Sequence, residues 1–324
     1  MTAVHGGAGL FKEGIEQFCA TALKDGGLEE ACDEIAINNR LVNAIMKLEE
    51  CSKFNCGYGS NLTEAGTVEI EGSFMCSDNL AFGGVASVTN CAHPIYAAHK
   101  LSMSHKSNSE ENGLIKPIVL VGKGANQYCE ALNVGIVLNE NLRTERAKRD
   151  RNLAMKRVFN NGNVSRLDTT GGVFIDSFEQ ENGYCEAGVS SGGILLKKEG
   201  RLGHSTQFGA AIWAEKREKA SIAISLSGCG ETLIRTHMAE IIAKFFFSND
   251  LDDLFLPEKI KNFLEGESFL KSERLQTFPV SYLLLGGIAA VQSNKISTLY
   301  AFHNSAHFPI AFKVGNFVCN SFIL

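Results

Sequence analysis

One stretch constrains this chain more than any other: Ser165-Arg166-Leu167-Asp168-Thr169-Thr170-Gly171-Gly172-Val173-Phe174-Ile175-Asp176. A charged segment without apolar periodicity ends there, and an alternating, Gly-rich strand begins. Period two places Thr169, Gly171, Val173 and Ile175 on one face of that strand. Were the chain cut before Thr169, that residue would carry both a hydroxyl and a free α-amine. A Thr hydroxyl attacks poorly until a base removes its proton, and an α-amine, with an ordinary pKa of about 7.7–8.0, is such a base near neutral pH. The same hydroxyl could attack the Asp168 carbonyl and so release its own amine. Alone, Asp-Thr before a strand is an ordinary cap or turn; the rest of the chain has to supply the other parts.

The 324 residues are enough for one large α/β core or two modest domains. Gly is abundant at 32 and Pro scarce at 5, which suits close-packed strands and tight turns rather than linkers. A net charge of −5 leaves no global footprint for nucleic acid. The ten Cys form no CxxC pair, so zinc and thioredoxin-like chemistry are not expected. The start, MTAVHGGAG, lacks the shape of a signal peptide, and SYLLLGGIAAV is too short to span a bilayer. The expectation is a protein with reduced thiols in the nucleus and cytoplasm, using no cofactor, metal, direct nucleic-acid contact or membrane.

In chain order, His5-Gly6-Gly7-Ala8-Gly9 is a Gly-rich turn able to bring backbone N–H groups to an anion or a reacting oxygen. Ile15, Phe18, Cys19 and Ala22 predict a helix stopped by Gly26-Gly27. A long amphipathic helix is predicted over 28–50, with Ile35, Leu41, Val42, Ile45 and Leu48 as its buried stripe. Asn55, before Gly57 and Gly59, suits either a left-handed turn or a side-chain amide in a site. Pro94 opens a helix, and Pro117 to Val121 reads as a buried strand before a helix through Cys129. From about 138 to 167 the pattern fails in a flexible charged segment. Its Arg143, Arg146, Lys148, Arg149, Arg151, Lys156 and Arg157 read as a solvated helix or linker, or as a nuclear-import patch. After Thr169, strands come quickly, with a hairpin turn at SFEQENG. One strand ends at Ser227-Gly228-Cys229-Gly230, before a helix whose inner face is Ile234, Met238, Ile241, Ile242 and Phe245. A turn of that kind puts free N–H groups and a helix N-terminus at one point, suited to an oxyanion. From Phe278 to Phe312, hairpin strands are predicted around KIS and HNSAH.

The ordered set HGGAG, FNCGYGSNL, LDTTGGVFID, VSSGG, GRLG and SGCGE resembles the plant-type asparaginase family of N-terminal-nucleophile hydrolases, over nearly the whole chain. Within that family the motifs look most like the threonine aspartase (taspase) branch. The resemblance implies an α/β, four-layer αββα sandwich, made as one precursor and self-cleaved between Asp168 and Thr169. Residues 1–168 would form the α part and 169–324 the β part, staying associated, and the two-chain unit could pair further. By this resemblance Thr169 is the nucleophile and Ser191 a hydroxyl beside it. Ser227 and Gly228 form the oxyanion hole, and Asn55 assists self-cleavage. Arg201 holds a substrate carboxylate, with His204 and Gly230 beside it, and the fork of a guanidinium suits that task.

Three positions depart from the family pattern. His204 stands where small-substrate asparaginases have an Asp to hold the free α-amine. Met75-Cys76-Ser77 replaces Met-Asp-Gly, and Cys56 replaces an Ala. The expected function is therefore a self-processing threonine endopeptidase cutting protein substrates after Asp, with nuclear regulatory proteins as partners by resemblance. The alternatives are an asparaginase or isoaspartyl dipeptidase, and a silent binding protein that never cleaves itself.

Overall fold

The computed structural model describes residues 1–9, 11, 14–26, 39–106, 113–159, 168–176, 183–315 and 320–323. Its frame is two sheets. The larger has eight strands in the order β12-β11-β1-β5-β6-β2-β3-β4: β1 (Thr2–His5), β2 (Ile70–Cys76), β3 (Phe82–Val88), β4 (Val119–Val121), β5 (Thr170–Ile175), β6 (Cys185–Ser191), β11 (Pro309–Lys313) and β12 (Asn320–Ile323). The smaller runs β10-β9-β8-β7, from β7 (Ile212–Lys216), β8 (Ala220–Gly228), β9 (Leu285–Ser293) and β10 (Ile296–His303). All pairs are antiparallel except β3 with β4.

The sheets pack face to face, β5 and β6 of the first against β8 of the second. Val173, Ile175, Ala187 and Val189 from the first sheet share one apolar core with Ile224, Ala289 and Val291 from the second. Helices α2 (Arg40–Glu49) and α3 (Pro94–Ser104) cover the outer face of the larger sheet, and α7 (Met238–Phe247) packs on β7 and β8 of the smaller. The result is the αββα sandwich expected of an N-terminal-nucleophile hydrolase. On β5 the predicted two-residue period holds: Val173 and Ile175 join the core between the sheets, while Phe174 packs in the helix-side cluster.

Some expectations shift. The helix α1 (Glu16–Asp25) buries Cys19, Ala22 and Leu23, yet Phe18 is exposed. Helix α2 starts only at Arg40, where the Asn39 side chain accepts from the Val42 N–H; residues 27–38, including Ile35, lie outside the described set. Strand β4 is a short, half-exposed edge strand rather than a buried one, followed by α4 (Lys123–Leu132). Much of the charged stretch expected to be loose is helical, as α5 (Glu145–Phe159). Arg146 donates to the Ser52 and Gly59 carbonyls and Arg151 to those of Thr63 and Glu64, so both point inward. Residues 160–167 and the SFEQENG turn lie outside the described residues.

The helix predicted after Gly230 is two helices, α6 (Gly230–Thr236) and α7, because His237 adopts a left-handed conformation (φ 49°) between them. The break turns the inner face to Leu233, Met238, Ala239, Ile242 and Phe246, leaving Ile234, Ile241 and Phe245 less buried. Helix α8 (Leu256–Glu265) follows. β9 and β10 form a hairpin with Asn294-Lys295 at its turn, but HNSAH is a crossing, since β10 and β11 belong to different sheets. Among the described residues no helix is long and apolar enough to cross a membrane.

Helix α3 lies so close to β3 that a Cβ on Gly83 would collide with the Ala98 carbonyl and the Ser102 nitrogen, whereas one on Gly84 would meet no atom nearer than 3.3 Å. Backbone cannot retreat as a side chain can. Gly83→Ala is therefore expected to cost roughly 1–3 kcal/mol, and Gly84→Ala much less, in denaturant melts; equal effects would contradict this packing.

Candidate active site

Thr169 stands at the start of β5, where the two sheets meet, and is 3% exposed. Its backbone N–H donates to Ser227 Oγ at 3.1 Å and its own hydroxyl to Ser191 Oγ at 3.2 Å. The carbonyl oxygen of Asp168, on the other side of the same peptide bond, accepts from Asn55 Nδ2 at 2.8 Å and lies 3.5 Å from Ser191 Oγ. The bond singled out in the sequence is thus gripped at its nitrogen, at its carbonyl and at the neighbouring hydroxyl.

Three loops make that grip. The first is the Asn55 turn: Phe54 and Cys56 are buried on either side, and a 3-10 turn (Gly57–Gly59) with Gly57 at φ +47° reverses the chain. Asn55 Oδ1 accepts from the Asn61 N–H at 2.8 Å, and Nδ2 also donates to the Gly193 carbonyl at 2.8 Å. Those bonds fix which end of the amide faces Asp168, so the residue acts through its side chain and not as a left-handed turn. The second is HGGAG. Gly7, at φ +104°, lies so flat on the peptide that a Cβ there would be 2.8 Å from the Thr169 nitrogen. The Ala8 N–H donates to Ser227 Oγ at 2.9 Å. The third is the end of β8. Ser225 and Ser227, two apart, both face the first sheet, and Ser225 Oγ bonds His5 Nε2 at 2.8 Å. In the uncut chain Ser227 Oγ therefore receives two N–H groups, one of them from Thr169.

Arg201 lies at the far side of a narrow cleft of about 10 Å³, lined by Asp168, Thr169, Ser191, Arg201, His204, Gly228 and Gly230 among others. Asp168 itself lines this small space. Arg201 forks onto Glu231, Nε at 3.0 Å and Nη2 at 2.8 Å from Oε1, and Nη2 at 2.7 Å from Oε2. Burial pushes the Glu231 carboxyl up, but the charge and hydrogen bonds of Arg201 outweigh it and hold it below its ordinary value. The loop carrying Arg201 and His204 is tied to β2, because the Gly203 N–H donates to both oxygens of Glu71 at 2.9 Å. Lys197, fully buried, lies 3.6 Å from Glu71 Oε1 and donates to the Glu69 carbonyl at 2.9 Å.

Every residue expected in the site on sequence grounds is brought to this cleft or its wall. The Gly-rich turns were visible as turns, whereas Asn61, Glu71, Lys197 and the His5–Ser225 pair were not anticipated. Glu71, His5 and Ser225 showed only as polar residues inside strands, and Asn61 and Lys197, which lie in loops, carried no such signal. The departures Met75-Cys76-Ser77 do not line the cleft: Met75 is in the core between the sheets, and Ser77 Oγ accepts from the Cys185 N–H. Cys56 Sγ donates to the Leu48 carbonyl at 3.3 Å, and burial pushes its thiol well up. Among the described residues no group of His, Cys, Asp and Glu could hold a metal ion. A separate cavity of about 800 Å³ is lined by Arg217, Phe247, Asp250 and Lys295 among others and shares no residue with this cleft.

Comparison with known proteins agrees with this geometry. The family described as asparaginase (Asparaginase_2) matches residues 1–249, and the chain belongs to it. An isoaspartyl peptidase/L-asparaginase of Xenopus laevis is 29% identical over 246 residues, covering 74% of this chain and 73% of its own. The human isoaspartyl peptidase/L-asparaginase is 30% identical over 255 residues, covering 74% and 75%. The isoaspartyl peptidase of Salmonella typhimurium is 29% identical over 260 residues, covering 74% and 77%. These similarities establish a family of hydrolases; they do not reach the threonine aspartase branch within it.

Two imidazoles at the site are buried. Burial, with His204 nearby, pulls the pKa of His5 from 6.5 to about 3, and burial, with Arg201, pulls that of His204 from 6.5 to about 4. Both are neutral when folded, whereas the unfolded chain takes up these protons below about 6.5. The stability they contribute is full above that pH and falls as pH drops towards 4. Denaturant midpoints should decline across this window, with a smaller decline in His5→Gln; a profile indifferent to both histidines would contradict their neutral burial.

Proposed function

We propose that the chain is a self-processing threonine hydrolase acting on aspartyl substrates, and that the substrate is a peptide chain cut after Asp. The observation that carries the first part is the placement of the Asp168–Thr169 bond. Attack of Thr169 Oγ1 on the Asp168 carbonyl carbon would form an ester and break the C–N bond. The departing nitrogen takes the proton and becomes the free α-amine of Thr169. Water then hydrolyses the ester, releasing Asp168 as a carboxylate. Oxygen charge developing on Asp168 would fall on the Asn55 amide, already 2.8 Å away. In later turnovers the freed amine is the base for the Thr169 hydroxyl. Ser191 orients that hydroxyl, and Ser227 with the Gly228 N–H takes the oxyanion.

Arg201 is the cation at the cleft and the partner for the substrate carboxylate. Support for a peptide chain comes from position 204, where a buried, neutral His offers no charge to a free α-ammonium. A second reading has its own support: the relatives are isoaspartyl peptidases and asparaginases, which favours hydrolysis of β-aspartyl dipeptides or asparagine. Both readings share the nucleophile, the self-cleavage and Arg201.

Intact mass and N-terminal sequencing test the shared part. A fragment beginning Thr169-Thr170-Gly171 is expected from the native chain and none from Thr169→Ala, whereas Thr170→Ala should still be cut. A chain that stays whole on long incubation would leave the silent binding protein standing. Asn55→Ala should slow self-cleavage by about 10²–10³-fold, the usual loss on removing one oxyanion donor. An unchanged cleavage rate would remove Asn55 from the mechanism.

A further inference from the structure

Thr169, Ser191 and Glu71 stand in a row across three neighbouring strands. The register that pairs Thr170 with Ser190 brings Thr169 beside Ser191, and Ser191 in turn lies opposite Glu71 on β2. Adjacent strands are about 4.7–4.9 Å apart, and residues paired in this way project from the same face. All three line the cleft. The Arg201 loop is anchored at the far end of the row. On one side of Arg201 the Gly203 N–H donates to both Glu71 oxygens at 2.9 Å, and on the other the Gly200 N–H donates to Glu69 Oε2 at 2.9 Å. Glu71 is 1% exposed and has the buried Lys197 ammonium 3.6 Å from Oε1. The Lys197 stem runs past Gly193, where a Cβ would lie 2.9 Å from Cδ. Gly193 in turn donates to Ser191 Oγ at 3.0 Å and accepts from Asn55 at 2.8 Å. The nucleophile and the cation of the cleft therefore share one frame, and the cleavage chemistry uses neither Glu71 nor Lys197.

We propose that Glu71, braced by Lys197, is a positioning residue that gauges the length of the substrate. It fixes Arg201 at a set distance from Thr169, so the site takes a carboxylate at aspartyl reach from the attacked carbonyl and rejects one at glutamyl reach. This rests on Arg201 holding a substrate carboxylate, which both readings above share. In a peptide cut after Asp, the backbone carbonyl is attacked and the side-chain carboxylate is held. In a β-aspartyl dipeptide the two groups exchange places at the same separation. A glutamyl residue adds one C–C bond, about 1.5 Å. A loop free to shift could follow that change, but one pinned on both sides of Arg201 by charge-assisted bonds to buried carboxylates cannot. Misplacement by about 1 Å costs roughly 10²-fold in rate.

The test uses self-cleaved protein and two matched substrate pairs. One is an N-acetylated peptide with an internal Asp against the same peptide with Glu; the other is a β-aspartyl against a γ-glutamyl dipeptide. In whichever pair native protein turns over, kcat/KM for the aspartyl member should exceed the glutamyl by about 10²-fold. Glu71→Ala should raise KM for the aspartyl substrate more than it lowers kcat, and the ratio should fall at least about tenfold. Lys197→Met, which leaves Glu71 without its cation, should lower the ratio in the same direction. Glu71→Gln keeps an oxygen for the Gly203 N–H and should hold the ratio within about threefold of native. A residue serving only the fold would lower both members by one factor and leave the ratio and KM alone. Should Glu71→Ala fail to mature, Glu71→Asp decides: its oxygens are withdrawn by one methylene, and the ratio should again fall about tenfold. An unchanged ratio in the Ala or Asp variant, or a native ratio below about tenfold, overturns the gauge and leaves the nucleophile and Arg201 in place. Native protein that cuts itself yet turns over neither aspartyl substrate overturns the shared reading of Arg201 and this proposal together.

Discussion

The hydrogen bond from the Thr169 N–H to Ser227 Oγ joins the two sheets at one peptide bond, and the remaining geometry is arranged about it. Thr169 leads into a strand of the first sheet and Ser227 lies near the end of one in the second. Any change in how the sheets stack would move Thr169 and Ser227 apart. The apolar core between the sheets is what prevents this: Val173, Ile175, Ile224 and Ala289 leave no freedom for one layer to slide on the other. Packing energy here fixes the distance between Thr169 and Ser227.

A second constraint is that the loops must come very close to that bond. Gly7 lies against the Thr169 nitrogen, and the Asn55 loop reaches the Asp168 oxygen from the other side. The loops are held by contacts that do no chemistry. Arg146 from α5 ties down the carbonyls of the Asn55 turn, and Glu71 ties down the backbone between Arg201 and His204. The charged stretch before Asp168 thus serves as a brace along α5. Lys197 lies 3.6 Å from Glu71 Oε1 in a buried place, where a lone carboxylate would be costly.

Membership of the family rests on similarity across some three quarters of the chain. Position 204 holds a buried His that lines the same cleft as Asp168 and Thr169. Overall identity near 30% weighs such a position no more than any other. Substrate choice can therefore differ between relatives whose sequences align well.

Much was determined by the sequence itself. The Thr169 strand was legible because alternation and Gly content are local properties, as were the turns at HGGAG, Asn55 and Ser227. Their order along the chain identified the fold family. The break at His237 was not legible, because nothing in its neighbours demands a left-handed residue; the packing of α6 and α7 imposes it. The same is true of β10 and β11, which read as one hairpin yet belong to different sheets. For Asn55 the sequence left two conformations open, and the bonds from Asn61 and to Gly193 chose between them. Tertiary structure alone decided that a buried Lys supports the Arg201 loop and that one His204 nitrogen stays unbonded. Those facts depend on contacts between residues far apart in the chain, and pattern within a segment carries no information about them.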